Sequence, residues 1–146
     1  MEKFVVEVIN LADTKKLTMV VSENTFDKAM MSVILASTAA SMGMEVHVFY
    51  TFFGLNLLKK NADPKLPGIF RLFTGVFKKR MAKVGLQGFS DQLKMAIELG
   101  ANIYACSTTM ELMQVKQEDL IGGVKILGAA AFLNIAADSD IQLFIG

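Results

Sequence analysis

The sequence predicts an α/β protein with a doubly wound, mostly parallel sheet of about five strands and helices on both faces. Three observations carry this. Apolar strand-length runs alternate with helix-length segments along the chain. The runs LTMVV (17–21) and EVHVFY (45–50) are apolar or aromatic at most positions, as in strands covered on both faces. Two helical segments stop at a glycine, Gly43 and Gly100, the residue that most easily closes a helix. The crossovers should be right-handed. The 146 residues contain no internal repeat and no low-complexity tract. They suit a single domain, 1–146, able to bury one core.

Taken in order, Met1–Asp13 spaces Phe4, Val5, Val8, Ile9 and Leu11 in a way compatible with helix or strand. Leu17–Val21 is a buried strand. Ser22, Asn24 or Thr25 caps a helix over Phe26–Met42, apolar around most of its circumference and closed by Gly43. Glu45–Tyr50 is the second strand and Thr51–Asn56 the loop at its end. Leu57–Lys60 begins a short helix, broken by the chain's only prolines, Pro64 and Pro67. Gly68–Gly88 mixes aromatic and basic residues. Ser90 caps a helix over Asp91–Leu99, and Gly100 closes it. Asn102–Ala105 is a strand running into a helix start, where Ser107, Thr108 and Thr109 are candidate N-caps and Glu111 lies in the first turn. Glu118–Leu120 and Gly122–Gly123 make a polar turn. Val124–Leu127 is a fourth strand or strand edge, Ala129–Ala137 a helix of small residues and Ile141–Ile145 the last strand.

Composition narrows the function classes. Hydrophobic residues make up 53% and charged ones 20%, against ~45–50% and ~25% in ordinary soluble domains. The excess predicts a subunit interface, hence a homo-oligomer. A net charge of +1 gives no general case for nucleic acid. The single cysteine excludes an intrachain disulfide and a CxxC motif, and suits a reducing cytoplasm. Met1–Ala12 carries Glu2 and Glu7 and reads as no signal peptide. The apolar runs Ala29–Ala40 and Ile126–Ala137 fall short of the ~20 residues that cross a bilayer. A soluble, cytoplasmic protein is expected.

No GxGxxG or GxxxxGK[ST] follows a strand, so the usual phosphate loops are absent. His47, the one histidine, sits mid-strand without metal-ligand or triad spacing and reads as structural. No cofactor and no metal are expected.

Cys106 is the residue with chemistry. It lies between a strand and a helix, where backbone N–H groups and the helix dipole favour thiolate, the nucleophilic form. In open parallel sheets the loops at the carboxyl ends of neighbouring strands meet at one edge. Glu23 and Asn24 follow one strand, Thr51, Phe52, Phe53 and Gly54 a second, and Cys106 a third. The expected pocket therefore holds Cys106 with Glu23, Asn24, Thr51, Phe53, Gly54, Ser107, Thr108 and Met110. Met110 and Met113 offer an apolar wall, and Glu23, if near, raises the thiol pKa. The opposing reading makes Cys106 a small buried hydrophobe, Ser22–Asn24 only a helix cap, and Phe52 and Phe53 core.

Leu99–Ile121, LGANIYACSTTMELMQVKQEDLI, resembles the cysteine motif of the DsrE/DsrF sulfur-relay family, in the archaeal and bacterial branch often labelled DsrE-like or peroxiredoxin-like. The resemblance rests on Ala105–Cys106, on Met110 four residues later, and on Glu118-Asp119-Leu120. FYTFFGLNLL (49–58), AASMGMEV (39–46) and the closing LFIG add to it. Two positions depart from the branch: Gln114 stands where glycine is usual and Gly122 where aspartate is frequent. The resemblance implies a flavodoxin-like three-layer sandwich, oligomers, and a cysteine that carries sulfur as persulfide or bound thiosulfonate. It also implies exchange with TusA-like carriers and rhodanese-like donors. A rival reading is a non-catalytic small-molecule-binding module or oligomeric scaffold of the same fold. Thr51–Gly54 and Ser107–Met110 then form a ligand pocket and Cys106 is incidental.

The region Asn56–Leu86 carries a net charge of +7, leaving −6 for the rest. Within it, a basic amphipathic insertion at about 64–88 places Phe70, Phe73 and Phe77 at three- and four-residue spacing, with Val84 a heptad further on. An aromatic stripe on a basic helix predicts packing on a partner subunit, docking to an acidic carrier, or peripheral membrane contact through 69–86. Nucleic acid is not expected, since no recognition fold accompanies the charge.

Overall fold

The computed structural model describes residues 14–146, so the segment Met1–Asp13 lies outside the described residues. Five strands form one sheet: β1 (Lys16–Val21), β2 (Glu45–Tyr50), β3 (Asn102–Cys106), β4 (Lys125–Leu127) and β5 (Ile141–Ile145). Their order is β4-β3-β2-β1-β5, and every pairing is parallel. The predicted α/β class and strand count hold.

Alternation along each strand sorts side chains to two faces. Met19 and Val21 of β1, Val48 and Tyr50 of β2 and Ile103 of β3 are fully buried with α1 (Phe26–Ser41) and α3 (Phe89–Glu98). Tyr50 sits 3.0 Å from Ser32 Oγ, and burial pushes its phenol up to about 12. The other face is thinner. Phe49 and Tyr104 pack with Cys106 and with Phe132 of α5 (Ala129–Ala136). The Phe49 and Phe132 rings stack at 4.7 Å. His47 lies on this face too, 2.8 Å from Tyr104 Oη and 2.6 Å from Glu45 Oε1.

Four of the five α-helices among the described residues end on one pattern. α1, α3 and α2 (Thr74–Lys83) each turn into a glycine with positive φ, Gly43, Gly100 and Gly85. In each, the two following N–H groups bond back to the last turn, as Gly43 does to Ala40 and Met44 to Ala39. The short α4 (Ser107–Leu112) ends the same way, with Val115 bonded to Met110 and Gln114 to Glu111. Here Gln114 adopts φ 53. A glycine would adopt this left-handed turn without crowding. Gln114→Gly should therefore stabilise the fold by about 0.5–1 kcal/mol, the relief of left-handed crowding less the extra freedom of the unfolded chain. Urea unfolding with an unchanged slope would measure it.

Several boundaries differ from the sequence reading. The segment after β2 is a 3₁₀ helix over Phe52–Leu58, not a loop leading to a helix at Leu57. α3 starts at Phe89 with Gly88 as N-cap rather than Ser90, because Phe89 is buried and packing fixes the start. The basic segment is not one helix. Gly68–Phe73 is 3₁₀ and α2 begins only at Thr74. Phe77 leaves the supposed stripe and meets Phe26 edge-on at 6.1 Å. No helix among the described residues is long and apolar enough to cross a membrane.

Candidate functional site

β1, β2 and β3 are neighbours, so their carboxyl ends share one edge of the sheet. The turn after β2 is laid across the end of β1. Thr51 N–H donates to Val21 O at 3.0 Å and Gly54 N–H to Ser22 O at 3.1 Å. Gly54 is required by this approach: a Cβ there would lie 2.2 Å from Val21 O. From the β3 side, Thr109 Oγ1 accepts the Phe52 N–H at 3.1 Å and lies 3.1 Å from Thr51 Oγ1. Phe52 has φ 46. A non-glycine residue held in this region costs about 1–2 kcal/mol, and the hydrogen bond to Thr109 pins it there.

Cys106 is the N-cap of α4. The helix therefore begins one residue earlier than the three hydroxyl residues suggested, and Glu111 falls beyond its first turn. The thiol is 5% exposed. It closes no capping hydrogen bond; the dipoles of the neighbouring Thr51, Thr108 and Thr109 favour its charged form. Burial, the largest influence, pushes the thiol up. The Thr109 hydroxyl and N–H, the Thr51 hydroxyl and the Thr108 N–H together outweigh burial and hold it below its ordinary value. All four are neutral dipoles. At an N-cap the N–H groups two and three residues on point back at the capping side chain, which is where Thr108 and Thr109 stand. What the arrangement can do is hold a sulfur anion without a metal or a cationic partner. Among the described residues no cluster of His, Cys, Asp or Glu could hold a metal ion.

The expected site residues fall into three groups. Thr51 and Thr108 act on the thiol, and Gly54 fixes the turn that carries Thr51. Ser107 and Met110 line a cleft of about 380 Å³ with Glu111, Gln114 and Ile126, next to the thiol in sequence but not including it. Phe53 stands 63% exposed, as Phe52 does at 58%, so neither is core. Asn24 lines another cleft, of about 560 Å³, with Asn56, Lys59, Asp63 and Gln114. Glu23 pairs with Lys28. Glu23 is not among the groups that shift the thiol, which are burial and the dipoles of Thr109, Thr51 and Thr108.

A sequence profile of the DsrE/DsrF/DrsH-like family matches residues 13–70 and 67–144. The chain belongs to this family. A "sulfur carrier protein DsrE2" of Allochromatium vinosum is 32% identical over 91% of this chain and 99% of its own length. The uncharacterized protein YrkE of Bacillus subtilis is 29% identical over 90% of this chain and 98% of its own. The fold matches the crystal structure of the ychN protein from E. coli with a TM-score of 0.64, at 12% identity, over 90% of this chain and 99% of that one.

Two residues of this DsrE-like chain escaped the sequence reading. Thr109 was visible only as a cap candidate, although its place three residues after Cys106 puts both its N–H and its hydroxyl beside the sulfur. Phe52 was visible as an aromatic; nothing in its sequence announces a left-handed backbone.

Proposed function

We propose that this DsrE-like protein carries sulfane sulfur on Cys106. The thiolate attacks the terminal sulfur of a donor persulfide. The donor S–S bond breaks, the donor leaves as its thiolate, and Cys106 keeps the sulfur as a persulfide. A second thiol then attacks that outer sulfur and restores the Cys106 thiolate, so the cycle needs no net oxidant. The observation that carries this reading is the position of Cys106 at the N-cap of α4, where neighbouring dipoles offset the burial that would keep a thiol protonated. They serve a persulfide anion as they serve a thiolate. The similarity to a protein named as a sulfur carrier supports the same reading. Small carriers of the TusA type and donors of the rhodanese type, which the family resemblance implies, are the exchange partners this cycle would use.

Intact mass spectrometry tests it. Reduced protein incubated with thiosulfate or a low-molecular-weight persulfide should gain one sulfur atom, sulfite or thiol leaving. Cys106→Ser should gain none, and dithiothreitol should reverse the gain. Wild type that stays unmodified by every donor would return Cys106 to the role of packing residue.

A further inference from the structure

The basic segment between the second and third strands is only partly buried and only partly paired. α2 uses one side against the body of the protein: Thr74 and Met81 are buried, and Phe77 meets Phe26. The Thr74 hydroxyl also accepts the Leu66 N–H at 3.0 Å. Everything else faces outward. Ile69 is 75% exposed, Phe70 62%, Leu72 83%, Phe73 57%, Val76 53% and Val84 74%. Soluble proteins scatter such residues singly; a contiguous set marks a surface that something covers.

Charge says what. Residues 64–90 contain no Asp or Glu. Lys65 and Lys78 are both taken by Asp63. Arg71, Lys79, Arg80 and Lys83 make no ion pair among the described residues.

We infer that the segment Gly68–Leu86 docks this protein on an anionic lipid surface, with Ile69, Phe70, Leu72 and Phe73 entering the headgroup boundary and Arg71, Lys79, Arg80 and Lys83 meeting lipid phosphates. Two competing occupants fit less well. A two-fold contact with a second copy would set a patch with four unpaired cations and no carboxylate against the same patch. An acidic protein face would satisfy the cations but set large apolar side chains against charge. An anionic bilayer satisfies both, since apolar groups sink into the boundary while long basic side chains reach up to the phosphates. The segment lies at the carboxyl edge of the sheet, where Lys65 O accepts the Phe26 N–H at 2.8 Å.

Co-sedimentation with phosphatidylcholine vesicles, with and without phosphatidylglycerol, tests this. Wild type should pellet with anionic vesicles at low salt and stay largely in solution with neutral ones. A Lys79→Gln, Arg80→Gln, Lys83→Gln variant should partition on the order of a hundredfold more weakly, each adsorbed cation contributing its share. The chain has no tryptophan, so Phe70→Trp supplies a single reporter. Its emission should shift to the blue on anionic vesicles and return on raising salt. Three results would each overturn the inference: wild type left in the supernatant with anionic vesicles at low salt, equal binding by the triple variant, or retention on immobilised polyglutamate without vesicle binding. The last would make the surface a protein-docking site.

Discussion

Replacing Thr109 by valine should slow alkylation of Cys106 at neutral pH roughly tenfold or more, and move the pH profile of the reaction upward. Thr109 contributes the strongest of the influences that lower the thiol pKa, through its hydroxyl. A hydrogen bond to an ionised group is worth about 1.5–3 kcal/mol, and each 1.4 kcal/mol is tenfold in thiolate population. Valine keeps the shape and the N–H but removes the hydroxyl. The profile should then rise toward the ordinary thiol value of 9.0. Stability follows with a definite sign. A thiol whose pKa is lower folded than unfolded stabilises the fold fully above the unfolded value. That contribution is lost as pH falls through the folded value. Thr109→Val should flatten the rise in stability across that alkaline window. Iodoacetamide kinetics against pH, with denaturant melts at matched pH, measure both. Thr109→Ser, which keeps the hydroxyl, should restore the profile. An unchanged profile in the valine variant would mean that the backbone donors alone hold the thiolate.

Gly54→Ala should lower the melting temperature by about 3–9 °C and slow thiol chemistry as well. The added methyl meets the Val21 carbonyl oxygen, which belongs to a buried strand and cannot turn away. The 3₁₀ turn must lift off the end of β1, stretching the Gly54–Ser22 and Thr51–Val21 hydrogen bonds. Overpacking of this kind costs about 1–3 kcal/mol, and each kcal/mol shifts the midpoint by about 3 °C in a domain of this size. Because Thr51 rides on the same turn, its hydroxyl moves away from Cys106. The alanine variant should thus show a thiol defect of the same direction as Thr109→Val, and smaller. Calorimetry and alkylation on one preparation would show the two effects together. A full melting temperature with normal alkylation would mean that the turn relaxes freely.

The sheet was legible because two-sided burial leaves an unmistakable mark. LTMVV, EVHVFY and NIYA are apolar where both faces are covered, and their order along the chain implies parallel pairing. The closing glycines were equally legible, since Gly43 and Gly100 meet a backbone need that few residues satisfy. Cys106 stood out by chemistry and by its place at a strand end. What escaped depends on tertiary contact. The start of α3 moved to Gly88 because Phe89 finds the core. The helix expected from the spacing of Phe70, Phe73 and Phe77 broke in two because Phe77 packs on Phe26 while Phe70 and Phe73 do not. Glu23 looked like a neighbour of the thiol on strand order alone, but it turns to Lys28. Thr109 was one of three hydroxyls in a row, and only the folded turn selects it as the partner of Phe52 and Thr51.

The dipoles around Cys106 differ from a cationic partner in one further respect. A thiolate paired with lysine or protonated histidine loses support as the ionic atmosphere thickens, because mobile counter-ions compete for both charges. Hydroxyl and amide dipoles held a few ångströms from a buried sulfur offer those ions nothing to replace. The pKa of the Cys106 thiol should thus change little with the ionic strength of the buffer. The exposed cations of the basic segment have no such insulation, so added salt should act on the surface of the molecule and not on its sulfur.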